Sequence, residues 1–313
     1  MSPLSVIVPA RDAAATIART LDAVERQTGV ERFEVIVVDN GSLDATAELA
    51  ERTGARVLRR ARGDGPGAAR NAGAAVASGR VLAFTDADCE PCDGWLAAGA
   101  AGLEATGLVQ GAVVPDPRVE RGPFDRTVEV SGPTGLFEAA SLFVRRDVFD
   151  RAGGFPVGLE APGDAPFGED TLFGWAAIRS GASVGFCREA VVHHAVTRRP
   201  VGGFVSERTR LSLFPALIRQ VPELRDELCF GRLFLNPRTA AFDLGLAGIV
   251  LAACLRRAPA LALALPYLVL NGRDAAAWGA RMGVRVAIGT LLADLVGAGA
   301  LVAGSRRSQT LLL

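Results

Sequence analysis

The sequence predicts an α/β fold, a Rossmann-like mixed sheet flanked by helices, followed by a C-terminal appendage of apolar helices. Three observations carry this expectation. Through the first hundred residues short apolar, β-rich runs alternate with stretches of helical spacing, the pattern of parallel strands joined by crossover helices. From about residue 108 the strand-like runs shorten and Gly/Pro-rich segments separate them. From about residue 231 the chain turns almost wholly apolar.

The elements follow in order. Residues 4–9 form a first strand, and residues 13–27 a helix with Ile17, Leu21 and Val24 on one face. Residues 33–38 read as a second, buried strand, and Ser42 or Asp44 can cap a helix running through Ala50. Residues 56–58 give a short third strand, 67–77 a helix of small residues, 81–85 a fourth strand and 95–103 another helix. Ligands of such sheets bind at the carboxyl ends of the strands. Residues 9–12, 39–42 and 86–88 all fall there, so three polar strand ends converge on one edge. Residues 107–230 form a second half of the same domain, with irregular loops at 115–123 and 160–168 and a helix over 169–179.

The tail, residues 231–313, carries apolar runs at 240–255, 258–270 and 286–303, interrupted by Asp243, Arg256-Arg257 and Asp294. The first two fall short of the ~20 residues that a membrane-spanning helix needs. From residue 239 onward seven Arg stand against three Asp, a balance suited to an anionic membrane surface. Re-entrant or surface-lying helices are therefore expected over clean spans, and the alternative is a helical pair packed on the domain or in a dimer interface.

Composition excludes several functions. With zero formal net charge the chain has no electrostatic case for binding nucleic acid. Every basic side chain is Arg, which removes a lysine Schiff base and a phosphate-loop lysine. Of five cysteines only Cys89 and Cys92 are close, with no second pair to complete a zinc site, and both read as bystander thiols. The N-terminus enters a strand without a secretory signal, so a reducing, cytoplasmic compartment at the inner face of the membrane is expected.

Asp86-Ala-Asp88 ends the apolar run 81–85, and two carboxylates there suit a hard divalent cation, Mn²⁺ or Mg²⁺, completed by a substrate's phosphates. The residues 65–73 form a loop entering a helix, whose N-terminus and Arg70 suit a diphosphate, although its glycines also permit close packing on the sheet. His193-His194 follow the strand-like residues 190–192, and alternation lets at most one of them face the site.

Ser5-Val6-Ile7-Val8-Pro9-Ala10-Arg11-Asp12, Val35-Ile36-Val37-Val38-Asp39-Asn40-Gly41-Ser42, Thr85-Asp86-Ala87-Asp88 and Gly168-Glu169-Asp170 occur in this order. With this ordered set the chain resembles family 2 glycosyltransferases of the GT-A fold over residues 3–210. The resemblance implies an inverting transferase that uses a nucleotide-diphosphate sugar donor and a glycan or lipid-linked acceptor. It places Pro9, Arg11, Asp39, Arg70 and Asp86 at the donor, with Arg11-Asp12 where an aromatic residue and Asn are usual. It implies a cation on Asp88, assisted by Asp86 and His194, Asp170 as the general base and Glu169 positioning the acceptor. Apolar neighbours such as Phe167 and Phe173 would raise the Asp170 pKa. Two rivals are an inactive nucleotide- or glycan-binding module and a sugar-phosphate nucleotidyltransferase; the latter usually has a Gly-rich basic loop that residues 9–12 lack.

Overall fold

A computed structural model describes residues 3–61, 64–156, 158–159, 167–256 and 258–313. Most of the 160–168 loop and Arg257 therefore lie outside the described residues. The chain divides into two compact units, residues 1–120 with 127–196 and residues 121–126 with 197–313.

The first unit is built on an eight-stranded sheet: β1 (Leu4–Ala10), β2 (Phe33–Asp39), β3 (Arg56–Arg59), β4 (Val81–Phe84), β5 (Cys89–Pro91), β6 (Leu108–Pro115), β7 (Leu142–Arg145) and β8 (Val184–His194). Their spatial order is β3-β2-β1-β4-β7-β6-β8-β5. The first four strands are parallel, as their alternation with helices requires, and β7 and β5 run antiparallel to their neighbours, which makes the sheet mixed. Six helices accompany it: α1 (Ile17–Glu25), α2 (Thr46–Arg52), α3 (Pro66–Val76), α4 (Trp95–Gly102), α5 (Arg146–Ala152) and α6 (Glu169–Arg179).

The central strands are apolar on both faces because helices cover both. Val6, Ile7, Val8, Ile36, Val37, Leu82 and Phe84 have no exposed surface, and each such burial is worth roughly 1.5–3 kcal/mol. Gly73 lets α3 lie on β1: a Cβ there would come within 2.5 Å of Ile7. The expected caps of α2 do other work. Asp44 accepts from the Ala14 and Thr46 backbone, Ser42 Oγ accepts from Asp12 N–H, and the N-cap is Ala45. Together these bonds stitch the β1 and β2 loops to each other.

The second unit contains α7 (Val201–Glu207), a 3₁₀ segment (Arg208–Leu213), α8 (Phe214–Gln220), α9 (Leu224–Glu227), α10 (Pro237–Leu255), a 3₁₀ segment (Ala258–Ala264), α11 (Leu265–Ala276) and α12 (Gly279–Ser308). The two units part at 196/197. The reason is a stripe of glycine on α12 that draws residues 201–213 onto it. A Cβ at Gly289 would meet Val201 at 2.8 Å, one at Gly297 would meet Leu211 at 3.1 Å, and one at Gly304 the Ser212 carbonyl at 2.2 Å.

The third apolar run is also longer than its composition suggested. Asp294, which interrupts it, is bonded to Arg238 and Tyr267, and α12 spans 30 residues. Both α10 and α12 are long and apolar enough, by length and composition, to cross a membrane. Only 22% and 33% of their apolar windows is buried within the protein, unlike the core helices of a soluble domain.

Candidate active site

The carboxyl edge of the parallel strands holds the predicted residues. Asp39 ends β2, is 6% exposed and accepts the Ser42 N–H at 3.1 Å through Oδ1. Asn40 beside it anchors the two strand ends, its N–H donating to the Ala10 carbonyl at 2.8 Å. Its side-chain nitrogen donates to the Gly65 carbonyl at 3.1 Å, while Oδ1 is buried without a hydrogen-bond partner. An acceptor left this way is costly unless a ligand or water meets it. Sequence reading passed over Asn40 because Asp-Asn-Gly-Ser also makes an ordinary turn.

Pro9 is buried inside β1 opposite Val38. Arg11 is about half exposed and lies 3.9 Å from Asp12. Asp12 adopts φ of +50° and takes the Leu43 N–H at 2.8 Å, which fixes the loop that carries Arg11.

Arg70 is the hub of the site. It projects from α3, is 3% exposed, and donates to Asp170 Oδ1 at 2.8 Å and to Asp86 Oδ1 at 2.7 Å. Glu169 stands 3.5 Å away and the Phe155 ring lies under the guanidinium at 5.4 Å. Burial alone would lower the Arg70 pKa, but Asp170, Asp86 and Glu169 outweigh it and hold it above its ordinary value. A diphosphate clamp needs exposed N–H groups. Arg70 instead spends its two terminal nitrogens on carboxylates, so it positions Asp86 and Asp170 relative to each other.

The acids respond in kind. Glu169 and Asp170 occupy the first turn of α6, where the helix dipole favours anions. Burial dominates nevertheless: it pushes Glu169 up to about 7, with the Asp170 charge adding and Arg70 opposing. Asp170 is also raised by burial, against Arg70 and the Ala139 N–H, which it accepts at 3.0 Å. Its side chain keeps 23% exposure, against 9% for Glu169. Phe173 is wholly buried and stacks on Phe155 at 4.5 Å, so the apolar wall is Phe155 with Phe173. Asn71 holds that wall by accepting the Phe155 N–H at 2.8 Å and donating to its carbonyl at 2.7 Å.

Glu138 was missed in the sequence. It precedes a short 3₁₀ turn, accepts from Gln110 at 2.6 Å, and has its pKa raised by burial and by Asp170. No pattern marks it, since it is one acid in a run of Gly, Pro and aromatics.

Asp86 and Asp88 diverge, because Ala87 and Asp88 form a turn, closed by the Cys89 N–H on the Asp86 carbonyl at 3.0 Å. Asp86 faces Arg70. Asp88 faces His194, whose Nε2 is 3.7 Å from its carboxylate. Register explains the meeting: β5 pairs Cys89 with His194. His194 Nδ1 donates to the Ala195 carbonyl at 2.8 Å, which leaves Nε2 as the nitrogen facing Asp88. An oxygen and an imidazole nitrogen aimed at one point fit Mn²⁺ or a similar cation. Cys89 offers the third atom of this group, but burial raises its thiol well above the ordinary value and keeps it protonated. Among the described residues Asp86 stands outside the group. His193 turns the other way, to Cys92 Sγ at 3.4 Å.

Comparison with known proteins now bears on this edge. Residues 5–160 match the family described as Glycosyl transferase family 2. Glycosyltransferase AglE of Haloferax volcanii is 32% identical over 224 residues, 66% of this chain and 71% of that protein. The chain belongs to glycosyl transferase family 2. Succinoglycan biosynthesis protein ExoO of Rhizobium meliloti is 40% identical to this glycosyltransferase over 88 residues, 27% of the chain and 25% of ExoO. The mannosyltransferase PcManGT of Pyrobaculum calidifontis, solved with GDP-Man and Mn²⁺, superposes with TM-score 0.58 at 22% identity, covering 98% of this chain and 87% of that one. The shared fold is the GT-A type.

Proposed function

We propose that this glycosyltransferase moves a sugar from a nucleotide-diphosphate donor to a hydroxyl acceptor with inversion, using Asp170 as the base. The observation that carries this reading is the convergence of Asp39, Asp86, Asp88, Glu169, Asp170 and His194 at one sheet edge, with Asp170 raised toward the range a base needs. Asp39 at the end of β2 accepts an N–H group of the nucleobase. Asp170 holds one lone pair toward Arg70 and one toward Ala139, and its exposed side remains free for an acceptor proton. As that proton is taken, the acceptor oxygen attacks the anomeric carbon and the nucleoside diphosphate leaves from the opposite face. A divalent cation, held by Asp88 and His194, would neutralise the charge that develops on the departing diphosphate.

Relatives support the substrate class, since PcManGT was solved with GDP-Man and Mn²⁺. The acceptor is a glycan or lipid-linked hydroxyl, and the exposed apolar helices of the second unit support a catalytic unit working at the cytoplasmic face of a membrane. Asp170→Asn is expected to lower kcat by about 10²–10⁴-fold while donor affinity stays within about threefold of wild type. Near-normal turnover would remove Asp170 from the role of base. Glu169 is the second reading, because a carboxyl at about 7 suits general-base work. In that case Glu169→Gln, not Asp170→Asn, would carry the loss.

A further inference from the structure

Asp88 and His194 come from two strands at the edge of the sheet. β5 is three residues long, is the last strand in the sheet order, and follows Asp88 directly. Pro91 offers no N–H, so the ladder from β5 to β8 is weak on its own. His194 is the final residue of β8. The separation of carboxylate and imidazole therefore depends on how firmly these two strand ends are held together.

Arg118 holds them from the solvent side. Its Nε donates to Asp116 Oδ1 and a terminal nitrogen to Asp116 Oδ2, both at 2.8 Å, a two-pronged fork. The same terminal nitrogen donates to Glu90 Oε1 at 2.6 Å. Each carboxylate belongs to the strand end of one ligand. Glu90 lies two residues beyond Asp88, in β5, and also faces Arg19 of α1 at 3.3 Å. Asp116 follows β6, is 5% exposed, and its N–H donates to the His194 carbonyl at 3.0 Å. The Arg118 side chain is 57% exposed, and ion pairs that open to water add little to stability. A guanidinium also repels a cation, so its charge does not explain its place here. Its shape does, since a planar fork fixes direction as well as distance.

We propose that Arg118 is a positioning residue for the divalent cation: by joining Glu90 to Asp116 it sets the distance between Asp88 and His194, and so the affinity of the site for Mn²⁺. The proposal rests on the transfer reading, which puts the cation on those two residues, and adds the group that holds them in place.

The test is Mn²⁺ binding by the full-length chain in mild detergent, followed through the electron paramagnetic resonance signal of the free ion, alone and with UDP or GDP. Charge and geometry predict opposite signs. Removing a nearby positive charge would tighten Mn²⁺ binding, whereas loosening its two ligands weakens it. Arg118→Met should weaken Mn²⁺ binding about tenfold, the lower end of what outer partners of metal ligands contribute. Arg118→Lys keeps the charge but loses the fork, and its affinity should fall between that of Arg118→Met and wild type. Arg145 is the control, because it makes a similar fork on Asp147 beside Val81, at the opposite edge of the sheet. Arg145→Met should leave Mn²⁺ affinity unchanged. The thermal midpoint of Arg118→Met should stay within about 3 °C of wild type. Unchanged or tighter Mn²⁺ binding by Arg118→Met overturns the positioning role. Weakening with a larger fall in midpoint, or an equal weakening by Arg145→Met, overturns it too, since a damaged fold would then account for the loss. His194→Ala tests the transfer reading by itself. If that variant binds Mn²⁺ as wild type does, the cation lies elsewhere and both fall. If it loses Mn²⁺ while Arg118→Met does not, only the role of Arg118 falls.

Discussion

Each unit is organised around an arginine clasped by two aspartates, and the two arginines live in opposite surroundings. Arg70 bonds Asp86 and Asp170 beneath a sheet edge whose strands are covered on both faces. Arg238 bonds Asp294 at 2.8 Å and Asp274 at 2.7 Å, with Tyr267 donating to the same Asp294 at 2.9 Å. Outside the first cluster lies the solvated edge of a catalytic site. Outside the second lie exposed Ile249, Val250, Leu268, Val269 and Leu295. In the first unit, then, burying charge serves chemistry by lifting carboxyl pKa values. In the second it turns the polar groups inward and leaves exposed apolar side chains on the outer face.

The sharpest way to break this comparison is to remove each arginine. Arg70→Met leaves three acids around a buried hole with no counter-charge, and about 3–5 kcal/mol of stability should be lost. Arg238 is 24% exposed and its partner Asp274 is 53% exposed, so water can relieve the orphaned charge. For Arg238→Met a loss of about 1–3 kcal/mol is expected. Denaturant midpoints of the full chain in the same detergent decide between them, and equal losses would mean that the two clusters do not differ in burial.

Smaller, but with a definite sign, is the effect of pH on Glu169. Its carboxyl is held at about 7 in the folded chain against an ordinary 4.5. The folded chain keeps a proton that the unfolded chain releases, so this group's contribution is fully present below pH 4.5 and is lost as pH rises through about 7. Glu169→Gln should therefore stabilise the protein by on the order of 1–3 kcal/mol at pH 8 and by nothing at pH 4. Thermal midpoints at the two pH values measure it. A gain at both would place the benefit in packing, outside ionisation.

What the sequence disclosed followed from local rules. Apolar runs bounded by turn residues marked β1, β2 and β4, and their polar ends marked Asp39, Asp86 and Asp88. Glu169 and Asp170 were legible as the acidic first turn of α6. The role of Arg70 was not, because nothing local says that residues 86, 169 and 170 converge on residue 70. The divergence of Asp86 from Asp88 was hidden as well, since it depends on a turn where alternation would have kept them parallel. Glu138 had no pattern at all, and α5 was passed over among the loops. The partner of Asp294 was hidden too: the charge that interrupts the apolar run 286–303 is neutralised by Arg238, 56 residues away.

The smallest expected effect tests the outer face alone. Val269 on α11 is 66% exposed, and its substitution by Ser removes no packing seen in the structure. In detergent Val269→Ser should change stability by no more than about 0.5 kcal/mol, as surface substitutions do. Partition into anionic vesicles should nevertheless weaken severalfold, since roughly 1 kcal/mol of hydrocarbon transfer is given up. The two measurements separate what covers the face. A stability loss above about 1 kcal/mol with vesicle binding intact would mean that Val269 packs against protein, and the inward-facing polar cluster would then belong to an oligomer interface.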